Sequence, residues 1–287
     1  VGIAWTEDGS SLLVATTDTL YVYDADDWEA SPQVLPLQMN WVRSIDVLGD
    51  LVLFGNDGGV AIFNFRTGER IFYTELVRGH AAFRSEDQII TGAFGIAVLD
   101  IARPRQFRSF GGYYWPVSAF ALSPTGTYAA AANGGEGGHL WRIDTGEDVA
   151  PLADANDFAF SPDESTLAYS RMYGEIYLWD LTLHQNLWQV VHHDGGVQSV
   201  AFHPEGEVIA GAYNDGTLVL CDAETGELLD IAPVSRPITS VIMDFGLAYS
   251  PDGNLLAAGG IDGKVYVMDV SNGRFADEPP VATLIVE

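Results

Sequence analysis

A two-residue mark, an apolar side chain followed by a polar one, returns along this chain at nearly even intervals. It stands at Tyr23-Asp24, Phe63-Asn64, Leu99-Asp100, Trp141-Arg142, Trp179-Asp180, Cys221-Asp222 and Met268-Asp269. Successive second members lie 40, 36, 42, 38, 42 and 47 residues apart. A period near forty residues belongs to a small supersecondary unit that cannot bury its own faces and must stack on copies of itself. Few folds satisfy that demand.

The unit is clearest from Val197 to Asp222. Val197, Ser199 and Ala201 alternate with Gln198, Val200 and Phe202, the period of a strand. His203-Pro204-Glu205-Gly206 then reads as a turn, proline presetting one position and glycine supplying a left-handed one. Val208 to Tyr213 is a second strand, closed by the hairpin signal Asn214-Asp215-Gly216. Thr217 to Asp222 and Glu227 to Ile231 complete a four-stranded meander. Its first turn recurs as Ser123-Pro124-Thr125-Gly126, Ser161-Pro162-Asp163-Glu164 and Ser250-Pro251-Asp252-Gly253, and more weakly at Glu7-Asp8-Gly9, Gly49-Asp50 and Glu86-Asp87. The expectation is one all-β domain, a seven-bladed β-propeller with four antiparallel strands per blade. The blades fall near 1–38, 39–77, 78–112, 113–153, 154–193, 194–234 and 235–287.

The apolar-Asp mark resembles the signature of the WD-repeat β-propeller family, which Trp179-Asp180 matches in full, and Gly79-His80 resembles that family's Gly-His pair. The resemblance covers essentially the whole chain. It implies a hydrogen-bonded His, Ser or Thr, Asp and Trp set within a blade, yet no blade carries the set in order. Blade six has His192, His193 and Asp215 but Cys221 in place of Trp, and blade five has Trp179 but Gly174-Glu175 in place of the turn Asp. Apolar packing between sheets is therefore expected to hold the blades more than such sets do. In blade seven both Ile238-Thr239-Ser240-Val241 and Leu247-Ala248-Tyr249-Ser250 read as the inner strand, with Ile242 to Gly246 as an insertion. Strands are expected to be used in sequence with no terminal strand lent elsewhere, blade seven packing directly on blade one. The start without Met leaves room for a cleaved signal or a trimmed segment.

Charge narrows the partners. Forty acidic residues face thirteen basic ones for a formal net charge of −27, and Lys264 is the only lysine. Such a chain repels phosphate backbones, so no nucleic acid partner is expected. No apolar run approaches the roughly 18 residues of a membrane-spanning helix. A surface-associated or extracytoplasmic setting is favoured over the cytoplasm. A lone cysteine, Cys221, excludes an internal disulfide and reads as a small buried hydrophobe.

Catalytic signals are missing. Nucleophile elbows, paired His-Glu zinc motifs and phosphate loops do not occur. The glycine-rich Asn133 to Gly138 joins two strands and is no phosphate cradle, and DADDWEAS lacks the spacing of a calcium loop. His192-His193-Asp194 places neighbouring rings on opposite sides of an extended chain, a poor chelate. Asp222 to Gly226 resembles the blade motif of quinone-cofactor propeller dehydrogenases, but the Trp that follows there is missing. No catalytic, metal or cofactor-binding residue, and no cofactor, is expected.

What remains is surface for protein partners. Gly111-Gly112-Tyr113-Tyr114-Trp115-Pro116 joins blades three and four, and three adjacent rings in a loop are not needed to fill a strand layer. Aromatic residues and arginine are enriched at interfaces. In the family's geometry such connections lie near the central channel, where others supply Trp41, His80, His193 and Arg236. Second-to-third-strand turns on the same face add Arg171 and Tyr173. Some of these rings could instead plug the channel mouth. A second candidate is the arginine cluster Arg103, Arg105 and Arg108, which reads either as local ion pairing or as a docking patch for an acidic partner or another copy. The expected function is a non-enzymatic protein-interaction scaffold using the channel face. The alternatives are a self-associating structural subunit of an extracellular or surface assembly and, third, a propeller enzyme with a channel-mouth site.

Overall fold

The computed structural model describes residues 2–37, 39, 42–113, 116–133, 137–192, 195–233, 246–260, 262–276 and 280–285. Among the described residues all 28 elements are strands, arranged as seven four-stranded antiparallel sheets, so the fold class is all-β, a seven-bladed β-propeller. Two compact units divide the chain, Val1–Ala153 with four blades and Asp154–Glu287 with three.

In the first unit, blade one is β1 (Gly2–Trp5), β2 (Ser11–Ala15), β3 (Thr19–Asp24) and β4 (Gln33–Pro36). Blade two is β5 (Val42–Leu48), β6 (Leu51–Asn56), β7 (Gly59–Asn64) and β8 (Arg70–Thr74). Blade three is β9 (His80–Ser85), β10 (Gln88–Gly92), β11 (Ile96–Asp100) and β12 (Phe107–Phe110). Blade four is β13 (Ala119–Leu122), β14 (Tyr128–Ala132), β15 (Gly138–Arg142) and β16 (Glu147–Leu152). In the second unit, blade five is β17 (Ala155–Phe160), β18 (Thr166–Arg171), β19 (Glu175–Asp180) and β20 (Gln185–Val191). Blade six is β21 (Val197–Phe202), β22 (Val208–Tyr213), β23 (Thr217–Asp222) and β24 (Leu228–Pro233). Blade seven is β25 (Leu247–Tyr249), β26 (Leu255–Gly259), β27 (Lys264–Asp269) and β28 (Ala282–Ile285). Every sheet uses four consecutive strands, and no described strand is lent to another sheet. Leu247–Tyr249 is the inner strand of blade seven. The competing reading at Ile238 to Val241, and most of the Ile242 to Gly246 insertion, lie outside the described residues.

Period-two alternation lets one strand serve two neighbours. On β6, Val52 and Phe54 pack against Leu13, Leu20 and Val22 of blade one, while Leu53 packs with Ile89 and Leu99 of blade three. On β10, Ile89 faces blade two and Ile90 joins Ala129, Ala131 and Trp141 of blade four. Blade six repeats the device: Ile209 joins Ile176 and Leu178, and Ala210 joins Leu256 and Met268. Each fully buried large side chain contributes about 1.5–3 kcal/mol, and no blade could collect this alone.

Polar rivets between inner strands add to the apolar packing. The Ser44 hydroxyl accepts the Ala81 N–H at 2.7 Å and donates to the Ala81 carbonyl at 3.2 Å. Asp46 Oδ2 accepts the Phe83 N–H at 2.6 Å. In the second unit Asp157 Oδ2 accepts from the Ser199 hydroxyl at 2.8 Å and the Val200 N–H at 3.0 Å, and the Asn156 amide donates to Val197 O at 2.9 Å. Inner strands need these partners because their side-by-side packing leaves backbone groups without a ladder.

The repeated sequence marks are turn circuits. At the end of six of the seven third strands, the Asp or Asn carboxyl or amide oxygen accepts backbone N–H groups two or three residues on: Asp24 from Asp26, Asn64 from Arg66 and Thr67, Asp100 from Arg103, Asp180 from Thr182 and Leu183, Asp222 from Thr225, Asp269 from Ser271. These are Asx-turns, which is why the mark keeps a short carboxylate or amide there. Arg142 breaks the pattern, and its turn is closed by the Gly146 N–H on the Arg142 carbonyl at 2.8 Å.

Candidate functional site

Two kinds of segment meet at one end of blades two and three: the turns between second and third strands, and the described parts of the connections from one blade's fourth strand to the next blade's first. In the first unit they are strapped together by main-chain bonds. Gly79 N–H donates to Asn56 O at 2.7 Å, Tyr113 N–H to Phe94 O at 2.7 Å and Val117 N–H to Ala93 O at 2.6 Å. Gly79 has φ +90°, and a Cβ there would collide with the Gly92 carbonyl, so only glycine permits this approach.

A cleft of about 180 Å3 opens among these straps, lined by Arg43, Asp57, Arg78, Phe94, Pro116 and Val117. Its floor is built by register. Val42 at the start of β5 pairs with Asn56 at the end of β6, which brings Arg43 beside the hairpin residue Asp57. The guanidinium grips the carboxylate with two bonds, Nε to Oδ1 at 2.7 Å and Nη2 to Oδ2 at 2.9 Å. Asn56 Oδ1 accepts the Gly58 and Gly59 N–H groups at 2.8 Å each, holding the hairpin that presents Asp57. Arg43 holds the Asp57 carboxyl below its ordinary range, with smaller help from His80 and Arg78. The pair is partly exposed and contributes little stability, but its fork geometry fixes both side chains.

Phe94 stands at the rim, 52% exposed, in the tight β10–β11 turn beside the exposed Arg78 and Pro116. An open aromatic ring, a proline and a guanidinium over an ion-paired floor can take an apolar side chain and an adjacent carboxylate together. Among the described residues no three His, Cys, Asp or Glu side chains converge as a metal site. Burial pushes the Cys221 thiol up to about 12, far from a reactive thiolate.

Of the channel-face candidates, Tyr113, His80, Arg171 and Tyr173 are among the described residues. Tyr113 is buried, its hydroxyl donating to Ala131 O at 2.7 Å and its ring edge-on to Trp141 at 5.9 Å, so it anchors the loop from below. His80 is also buried, at the first position of β9. Arg171 is held by Asp154 at 2.5 Å and by the Tyr177 hydroxyl at 2.7 Å, with its guanidinium over the Tyr177 ring. Tyr173 is 78% exposed and, with Met172, forms an open apolar turn on blade five. Trp41, Tyr114, Trp115, His193 and Arg236 lie outside the described residues. Of the arginine cluster, Arg103 pairs with Asp100 at 3.2 Å, Arg105 is exposed, and Arg108 donates to the carbonyls of Asp144 and Ile143. Burial lowers the His192 imidazole below its ordinary value.

Arg43, Asp57 and Phe94 were not among those candidates. Asp57 reads in sequence as part of a hairpin, and only the pairing of β5 with β6 reveals its partner fourteen residues earlier. Counting back through that hairpin was the available signal.

Residues 158–245 match the family described as the anaphase-promoting complex subunit 4 WD40 domain, and residues 237–269 match the WD domain, G-beta repeat. A WD repeat-containing protein, SL1-17, of Schistosoma mansoni is 28% identical over 55% of this chain and 55% of its own length. The human U5 small nuclear ribonucleoprotein 40 kDa protein is 34% identical over 22% of this chain and 17% of its own. WD repeat-containing protein 55 of Danio rerio is 27% identical over 35% of this chain and 27% of its own. The matches thus span about half or less of the length of these curated relatives.

Proposed function

We propose that this chain, a WD-repeat β-propeller, is a non-enzymatic protein-interaction scaffold that binds an extended peptide segment of its partner through the connection face of its first unit. WD-repeat proteins are commonly interaction scaffolds, and the matched human relative carries the name of a ribonucleoprotein component. The observation that carries the reading is the cleft in which exposed Phe94 and Arg78 flank the locked Arg43–Asp57 pair. The preferred segment has a carboxylate beside an apolar side chain, because a guanidinium and an open ring recognise those groups together. The net charge of −27 argues against a nucleic acid in the same place.

A displayed library of random peptides tests this. Enrichment of acidic-apolar pairs is expected, and Phe94→Ala with Arg78→Glu should weaken the selected peptides at least about tenfold, roughly 1.4 kcal/mol, without changing the melting temperature. Selected peptides indifferent to both substitutions, or none selected at all, would sink the reading.

A further inference from the structure

The fourth strand of each blade is a sheet edge, and its outward N–H and C=O groups invite another strand unless charge, proline or brevity blunts them. Six of the seven fourth strands carry such a device. Pro36 stands in β4, Arg70 in β8, Arg108 in β12, Pro151 in β16 and Pro233 in β24, and β28 is only four residues long. β20 carries none. At seven residues it is the longest of the fourth strands, and QNLWQVV holds neither a charge nor a proline.

The phase of the ladder shows which backbone groups are open. Leu181 N–H donates to Ser165 O at 3.0 Å, so Trp179 and Tyr177 turn their backbone groups to β18, and Leu178 and Ile176 turn theirs to β20. Trp188 and Val190 answer these, which leaves the N–H and C=O groups of Gln189 and Val191 pointing away from the sheet. The side chains of Leu187 and Val191 are 47% and 57% exposed, and Gln189 is exposed between them. Trp188 and Val190 instead turn to blade six. There the Trp188 indole donates to Ala223 O at 3.1 Å, and Gly226 lies against both side chains. Met172 and Tyr173 extend the open apolar surface beyond Glu175, the residue that pairs with Val191.

The charges around this edge are mostly negative. Glu175 and Asp180 stand at the two ends of β19, and Glu224 and Glu227 are exposed in the blade-six turn that holds Gly226. The neighbouring cation, Arg171, is held by Asp154 and the Tyr177 hydroxyl, and His184 and His192 flank the ends of β20. Of the other basic residues in this unit, Lys264 faces Asp262 at 3.8 Å on blade seven, Arg274 adjoins Phe275 in the packing of blade six on blade seven, and Arg236 lies outside the described residues. We propose that β20 is a docking edge to which an extended segment of a partner protein adds as a fifth strand. Its backbone pairs with Gln189 and Val191, its apolar side chains lie on the Val191 face, and alternating lysines or arginines face Glu224 and Glu227. Backbone pairing supplies the affinity of such an addition and the alternate side chains its selectivity. A basic segment is the occupant because twenty-one acidic and four basic residues over 154–287, a net of −17, repel an acidic one, and a second copy of this chain brings −27 of its own.

Fluorescence anisotropy of the full chain with a synthetic peptide of alternating lysine and valine, at low salt, tests the proposal. Binding is expected, together with slower hydrogen exchange of the Gln189 and Val191 amides. A peptide of the same charge with proline at its centre cannot pair as a strand, and one with glutamate for lysine meets the acidic surroundings; both should bind at least about tenfold more weakly. In the protein, Gln189→Pro removes an open N–H without breaking the ladder, and Val191→Lys sets a positive charge on the edge. Each should weaken the lysine–valine peptide at least about tenfold and leave the melting temperature unchanged. Phe94→Ala with Arg78→Glu should leave this binding intact, which separates its outcome from that of the peptide cleft. Failure of the lysine–valine peptide to bind, binding without slowed exchange on β20, or equal binding of the proline-centred peptide would overturn the docking edge. Equal binding of the glutamate peptide would overturn the basic occupant.

Discussion

Asp46 shows how one side chain can work against the fold it helps to build. Its Oδ2 accepts the Phe83 N–H at 2.6 Å and its Oδ1 accepts the Val47 N–H at 2.9 Å, joining β5 to β9. Desolvation nevertheless outweighs both bonds and raises its pKa from 3.8 to about 6. A carboxyl that holds its proton more tightly in the folded state stabilises the fold below its unfolded pKa. That contribution is lost as pH rises through about 6. At neutral pH the native chain carries a desolvated carboxylate costing about 1–3 kcal/mol relative to the neutral group. Asp46→Asn, which keeps an acceptor for Phe83, should therefore gain on the wild type as pH rises from about 4 to about 7.5, by that amount. Urea unfolding of both proteins at the two pH values checks it, and parallel stabilities would refute the assignment. Asp8 tilts the other way: the Thr6 and Ser10 bonds lower its pKa to about 2, so its contribution is present above the unfolded value and fades only in strong acid.

At the scale of the element, the first turn of several blades is a hydroxyl circuit. In blade five the Ser161 hydroxyl donates to Asp163 at 2.7 Å while accepting the Thr166 N–H at 3.0 Å, and Asp163 in turn accepts from Ser165. Thr6-Asp8 in blade one and Ser250-Asp252 in blade seven repeat it, and in blade four the Ser123 hydroxyl accepts the Tyr128 N–H at 2.9 Å. Ser161 is buried, so Ser161→Ala strands the Thr166 N–H and should cost about 1–3 kcal/mol in chemical denaturation. A loss within error would show the circuit to be ornamental. Because the circuit and the Asx-turns need particular short side chains at fixed offsets, they were legible as Ser-Pro-Asp-Gly and apolar-Asp marks, and blade number and strand order followed. The rivets at Ser44, Asp46 and Asp157 were not, since a polar residue on an inner strand looks alike whether it faces water or the next strand. Composition also cannot say which ring of the Tyr113 to Trp115 run turns inward: Tyr113 does, and the other two lie outside the described residues. Arg43 and Asp57 became a pair only through strand register.

Charge is a property of the whole molecule, and it is unevenly spread. Residues 78–153 hold seven acidic and six basic side chains, a net of −1, whereas residues 154–287 hold twenty-one and four, a net of −17. Few carboxylates there can find a cation, so repulsion among them opposes compaction in both the folded chain and its near surroundings. Burial of apolar side chains between neighbouring sheets within each unit must exceed that repulsion, and added salt should shift the balance without touching a single contact. Sodium chloride screens charges more than about 8 Å apart at physiological strength and closer ones as its concentration rises. The urea midpoint should therefore increase between low salt and about 0.5 M, with most of the gain coming early, as long-range repulsion is screened first. The few arginine pairs work in the opposite direction, because Arg66–Asp50 and Arg171–Asp154 weaken under the same screening. If those attractive pairs dominated, the midpoint would fall with salt, and the acidic excess would then have to be held tolerable by local pairing and not by the cohesion of the stacked sheets.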